Sequence, residues 1–188
     1  MERASTGHSA PTHLIPDIKW YSMLDLNLQS GKILALQGDK ATVSTLLISM
    51  AVKLQARSKV LYVDSANTFN PFFVNARYHH PKINVDRIMV ARPFTAEQLK
   101  GVVEKLDNAL TESRSKAVII SALDEFFVDA QGDGDTIGLF SGILSELCRV
   151  ARRHDAVILV GLSNEVDLPN NESLKGLVKE VLDVCCRV

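Results

Sequence analysis

Chemistry in this chain would be expected first at Ile33-Leu-Ala-Leu-Gln-Gly-Asp-Lys-Ala-Thr-Val-Ser-Thr45 and the apolar run Leu46 to Val52 that follows. Apolar residues, a glycine at a sharp turn, a short polar loop and a helix-period stretch make the strand–loop–helix plan of a phosphate-binding P-loop. Laid on G-x-x-x-x-G-K-[ST], the first glycine is Gly38 and the closing hydroxyl is Thr45, with Asp39 and Lys40 inside the loop. The second glycine is Val43, however, and the lysine is Ser44. A working loop needs that glycine so that backbone N–H groups can turn inward around phosphates. It needs the lysine as a point charge on the terminal phosphates. The segment therefore reads as a P-loop without its phosphate chemistry.

The elements that must position these residues follow from apolar patterning. Ile33 to Gln37 is a buried strand preceded by a turn at Gly31, and a helix runs from about Val43 to Ala56. Lys59 to Val63 is a second buried strand closed by Asp64, and Pro71 suits the first turn of the next helix. Asp86 to Arg92 is a third strand, and Thr95 opens a helix to about Leu110 with Leu99, Val102, Val103, Leu106 and Leu110 at helical spacing. A fourth strand at Lys116 to Ser121, a long helix from Ile137 to His154, a fifth strand at Ala156 to Val160, a helix from Ser173 and a last strand at about Val184 to Val188 complete the series. Strands alternating with helices imply an α/β fold, a mostly parallel twisted sheet flanked by helices on both faces. In such sheets the functional crevice lies beyond the strand C-terminal ends, so Gly38, Asp64 to Asn67, Ser121 and Gly161 to Glu165 are expected to converge.

Size and composition bound the rest. A length of 188 residues suits one sizeable domain, expected over 18–188 behind a flexible arm at 1–17 that is either a disordered end or a docking arm. An apolar share of 46% is that of a globular chain, and no stretch approaches the ~20 apolar residues of a membrane span. The N-terminus has no apolar core of a secretory signal, so a cytoplasmic or nuclear location is expected. Cys148, Cys185 and Cys186 form no ligand set with histidine and are assigned to packing, with no metal site. A net charge of −1 exerts no global pull on nucleic acid.

Three strings carry a family resemblance: Val63-Asp-Ser-Ala-Asn-Thr-Phe-Asn-Pro71, Ile88-Met-Val-Ala-Arg92 and Ser163-Asn-Glu-Val166. They resemble the I-D-T-E-x-T-F-x-P, I-x-V-A-R-A and T-N-Q-V segments of the RecA/RadA recombinase family, and from about Leu24 the chain is similar to that family's RecA-like P-loop core. The resemblance implies that the glutamate polarising the attacking water falls on Ala66 and the Walker B aspartate on Ser121. Only Thr45, on the magnesium side, and Asn164, in the sensor segment, keep the family's chemistry. Phosphoryl transfer depends on positioning and charge neutralisation. Losing four such groups together implies a degenerate nucleotide site, no catalytic residue and no cofactor.

Substitutes for the missing groups are available in sequence. Lys40 is either a solvated lysine or a phosphate contact from another direction. Asp124 and Glu125 are surface charges or partner contacts, unless the backbone turns inward to make them magnesium ligands. Glu165 is a solvated loop charge or a contact to a neighbouring subunit, and Trp20 and Tyr21 are further candidate partner contacts. The loops that contact DNA in this family are acidic here, Asp129 to Asp135 and Asp167 to Glu172, and would repel phosphates. Arg149, Arg152, Arg153 and His154 read as a helix C-terminal cap more than a DNA patch. Phe73-Val-Asn-Ala76 spells the F-x-x-A motif by which recombinase subunits join, but inside a predicted helix it reads as core packing. The expected role is that of a recombinase paralogue and pseudo-ATPase. It would serve protein interaction or assembly in homologous-recombination DNA repair, paired with another RecA-family protein in a hetero-oligomer, with DNA reached only through the complex. The alternative is a deviant P-loop protein that binds or weakly hydrolyses ATP on single-stranded DNA.

Overall fold

A computed structural model describes residues 28–77, 83–128, 134–167, 172–182 and 184–188. Trp20, Tyr21, the expected arm and most of both acidic loops lie outside the described residues. Six parallel strands form one sheet: β1 (Ile33–Gly38), β2 (Val60–Asp64), β3 (Ile88–Ala91), β4 (Ala117–Ser121), β5 (Val157–Ser163) and β6 (Val184–Arg187). Their order across the sheet is β3-β2-β4-β5-β1-β6. The helices are α1 (Lys40–Leu54), α2 (Pro71–Arg77), α3 (Ala96–Glu104), α4 (Leu106–Ser113), α5 (Gly134–His154) and α6 (Glu172–Val181).

The central strands β1, β2, β4 and β5 read as largely apolar runs because both faces of the sheet are covered there. Alternate residues go to opposite sides. Ile33, Leu61, Val63, Val118, Ile120, Ile158 and Val160 meet α3, α4, α5 and α6, whereas Leu34, Val60, Tyr62, Ile119 and Leu159 meet α1 and α2. Each fully buried Leu, Ile or Val side chain contributes about 1.5–3 kcal/mol, so the central strands anchor the fold. The helix expected from Ala96 to Leu110 is broken at Lys105, but Leu99, Val103, Leu106 and Leu110 keep one buried face across the break.

Two further sequence expectations change here. Helix α1 begins at Lys40, three residues before the expected start, because the Asp39 carboxylate caps it by accepting from Thr42 N at 3.0 Å. Phe73 and Ala76 of the F-x-x-A string are exposed rather than core, with only Val74 of the four buried, because α2 presents a single residue to the sheet.

Three members of the basic cluster ending α5 are paired within the protein. Asp107 draws His154 (2.7 Å), Arg153 (3.2 Å) and Arg149 (3.8 Å), and Glu146 holds Arg149 as well. Those contacts hold the Asp107 carboxyl below its usual range, through the His154 hydrogen bond first. Among the described residues no helix is long and apolar enough to cross a membrane.

Candidate functional site

The strand C-terminal ends bring the expected residues together. Gly38 lies in register with Ser163, and Asp64 with Ser121. The chain leaves β2 toward β3 on one side and β4 toward β5 on the other, so a switch point falls between β2 and β4, where crevices form in such sheets.

At the end of β1 the chain passes from Gly38 through the single residue Asp39 into α1. No loop remains there to wrap a phosphate. The Asp39 carboxylate takes Thr42 N at 3.0 Å and the Thr42 hydroxyl at 3.1 Å, and these bonds, the backbone one first, hold its pKa below the ordinary value. A negative side chain thus occupies the positive end of the helix, where an anion would otherwise bind. Lys40 is spent on Glu125, Nζ to Oε1 2.6 Å. Thr45 gives its hydroxyl to Ala41 O at 2.8 Å. Val43 and Ser44 are both buried. A Cβ on Gly38 would collide with the Val188 carbonyl oxygen, so the turn is covered from outside as well.

Val43 fits at its place because of Gly161 on β5. A Cβ added at Gly161 would lie 2.9 Å from Val43 Cγ1, 2.9 Å from Leu47 Cδ1 and 3.0 Å from Ala122 N. The side chain that replaces a loop glycine therefore fills the space left by another glycine.

Ser121, at the end of β4, donates to Asp64 Oδ1 at 3.2 Å and accepts from Ala66 N at 3.3 Å. Asp64 is fully buried and also receives Thr68 N, Phe69 N and Arg92 Nε, each at 3.0 Å; Arg92 reaches the Phe69 carbonyl as well. A carboxylate with this many donors is well satisfied in a low-dielectric site. The sequence placed Asp64 at a strand end among the residues expected to converge, but the role of Arg92 was missed. The available signal was a pair of opposite charges at the ends of adjacent parallel strands. Nearby, among the described residues, Ser65 Oγ is buried without a hydrogen-bond partner, and Tyr62 Oη, also buried, makes no full hydrogen bond but has the Ser121 side chain beside it. Burial, and then the Asp64 charge, push the Tyr62 hydroxyl well above its ordinary pKa.

Asp124 departs from expectation. It is fully buried, not a surface charge, and accepts from Ser163 N at 3.0 and 3.2 Å and from the Ser163 hydroxyl. The cause is local: Ala122 takes φ 47°, a left-handed conformation costly for a residue with a Cβ, and turns the chain back into the protein. Leu123 N then donates to Gly161 O at 2.8 Å. Burial pushes the Asp124 carboxyl up, against the Ser163 hydrogen bonds that favour its charged form. Glu125, next to it, is half-buried on Lys40. Asn164 is exposed in a short 3-10 turn after β5, and the Glu165 side chain lies outside the described residues.

The Rad51 family model matches residues 30–173. The chain belongs to the Rad51 family. Its six-stranded parallel sheet with helices on both faces is the RecA-like core of that family. A comparison with curated proteins found no match. Membership ties the chain to a recombination and repair context. Active RecA-like cores hold a nucleoside triphosphate and a magnesium ion, and the residues here do not fit that pair. The Asp39 carboxylate caps the first turn of α1, Lys40 is paired with Glu125, and a serine rather than a carboxylate ends β4.

Proposed function

We propose that this Rad51-family chain is a non-catalytic paralogue, a pseudo-ATPase that acts as an interaction or assembly factor in homologous-recombination repair. The observation that carries the reading is the passage from Gly38 through Asp39 directly into α1, with the carboxylate on the helix terminus. Phosphate binding at such a terminus depends on free N–H groups and positive potential, and this arrangement uses both internally. The partner is another RecA-family protein, and DNA is reached through the complex.

Surface chemistry supports an interface. Among the described residues, β3 is an edge strand that presents Met89 and Val90, with Phe94 following it and Phe72 and Phe73 on α2, all five exposed. An open apolar edge strand is a pairing hazard that a monomer ordinarily covers or charges.

Calorimetry with magnesium and ATP tests the first part, with no binding expected. Magnesium-dependent binding lost on Lys40→Ala, or turnover by pure protein lost on Thr45→Ala, would refute it. A pull-down from native extract tests the second part. Recovery of a RecA-family protein, reduced by Phe72→Glu and Phe94→Glu, is expected; recovery unaffected by both changes would remove this edge from the interface.

A further inference from the structure

Four contacts meet at the strand ends, one local and three between segments far apart in sequence. The Asp39 carboxylate holds the first turn of α1 at Thr42. Glu125 holds Lys40, 85 residues away in sequence. Asp124 holds the backbone and hydroxyl of Ser163 at the end of β5, and Gln37 Nε2 reaches Ser163 O at 3.4 Å. These elements, the helix after β1, the segment after β4 and the end of β5, are the ones a bound triphosphate and its cation would order in a P-loop protein.

We propose that this crevice is tied shut from within: Asp39, Asp124 and Glu125 supply internal carboxylates in place of a ligand's charges and keep it in one ligand-independent conformation. The inference rests on the reading of the chain as a pseudo-ATPase and adds a regulatory consequence. A nucleotide-driven relative changes shape as its ligand comes and goes, because the ligand binds its two conformations unequally. Here the anions are covalently part of the chain, so the surface offered to a partner stays constant. The segment Ala122–Val128 is the hub of the device. It carries both Asp124 and Glu125, and Leu123 and Phe127 anchor it fully buried, with Phe127 packed against Phe140 in a tilted pair, ring centroids 4.8 Å apart.

Hydrogen exchange on the full-length protein, read at the Thr42 and Ser163 amides, tests the device. In the wild type both amides are expected to be protected, and millimolar magnesium and ATP should leave them unchanged. In Asp39→Ala/Asp124→Asn/Glu125→Gln their exchange should accelerate on the order of tenfold, while Ile119 and Val160 in the central strands keep their protection. If the triple variant does not fold, Glu125→Gln alone, at a half-buried side chain, should accelerate Thr42 and Val43, the first bonded amides of α1, but not Ile119. Slower wild-type exchange on adding magnesium and ATP would overturn the inference together with the pseudo-ATPase reading. Unchanged exchange in the variants, with calorimetry still showing no nucleotide bound, would overturn the inference alone.

Discussion

Gly161→Ala isolates the packing that lets α1 close over the sheet. The added Cβ would lie 2.9 Å from both Val43 Cγ1 and Leu47 Cδ1 and 3.0 Å from the Ala122 backbone N. Leu47 is fully buried and Val43 nearly so, so neither side chain can swing into water, and a backbone nitrogen cannot yield without moving the turn. Overpacking of this kind costs about 1–3 kcal/mol. Loss of glycine's freedom in the unfolded chain returns about 0.4–1 kcal/mol. At the midpoints of the two ranges the net loss is about 1.3 kcal/mol, and each kcal/mol lowers the melting temperature by about 2–4 °C for a chain of this size. Urea unfolding at constant m-value is the assay. The Val43 contact can be separated by a double-mutant cycle. Val43→Ala alone should cost about 1.5–3 kcal/mol, for two lost methyl groups and a cavity. In that background Gly161→Ala should cost at least about 0.5 kcal/mol less than in the wild type. A neutral or stabilising Gly161→Ala, or strict additivity with Val43→Ala, would refute the argument that Gly161 makes room for Val43.

Asp64→Ala removes the acceptor for Arg92, Ser121 and two backbone N–H groups; because Arg92 is 39% exposed and can turn to water, the expected loss is about 2–4 kcal/mol rather than the full penalty of a stranded buried charge. A loss under about 1 kcal/mol in urea unfolding would show that the network is dispensable. Tyr62→Phe deletes a buried hydroxyl that makes no full hydrogen bond among the described residues, with the Ser121 side chain beside it, and should change stability by less than about 1 kcal/mol; a loss above about 1.5 kcal/mol in urea unfolding would mean that the hydroxyl is firmly bonded. The raised Asp124 carboxyl gives a pH dependence of definite sign: the folded state holds that proton more tightly than the unfolded chain, so its contribution makes stability fall as pH rises from about 4 through the raised folded value. Urea midpoints across that window should lose this slope in Asp124→Asn, and an unchanged slope would assign it elsewhere. Asp39 and Asp107 act in the opposite sense, since their lowered values contribute stability that is present above the ordinary carboxylate range and lost as pH falls through the depressed values.

Amino-acid order alone determined the alternation of strands and helices and the residues that meet at the strand ends. A strand buried on both faces must be apolar along its length, as Val60 to Val63 and Ala117 to Ile120 are, and this pattern is local. The strings Val63 to Pro71 and Ile88 to Arg92 sufficed for the family. The start of α1 was also legible, in Asp39 three residues ahead of Thr42, but the P-loop template assigned those residues to a loop.

Tertiary structure alone decided which charges meet. Lys40 finds Glu125 only because strand order β4-β5-β1 brings two chain segments 85 residues apart to one edge. Asp124 points inward only because Ala122 adopts a left-handed turn that its residue type does not announce. Side-chain pairing across a parallel sheet depends on crossover connections and register, and neither is written in any local stretch of residues.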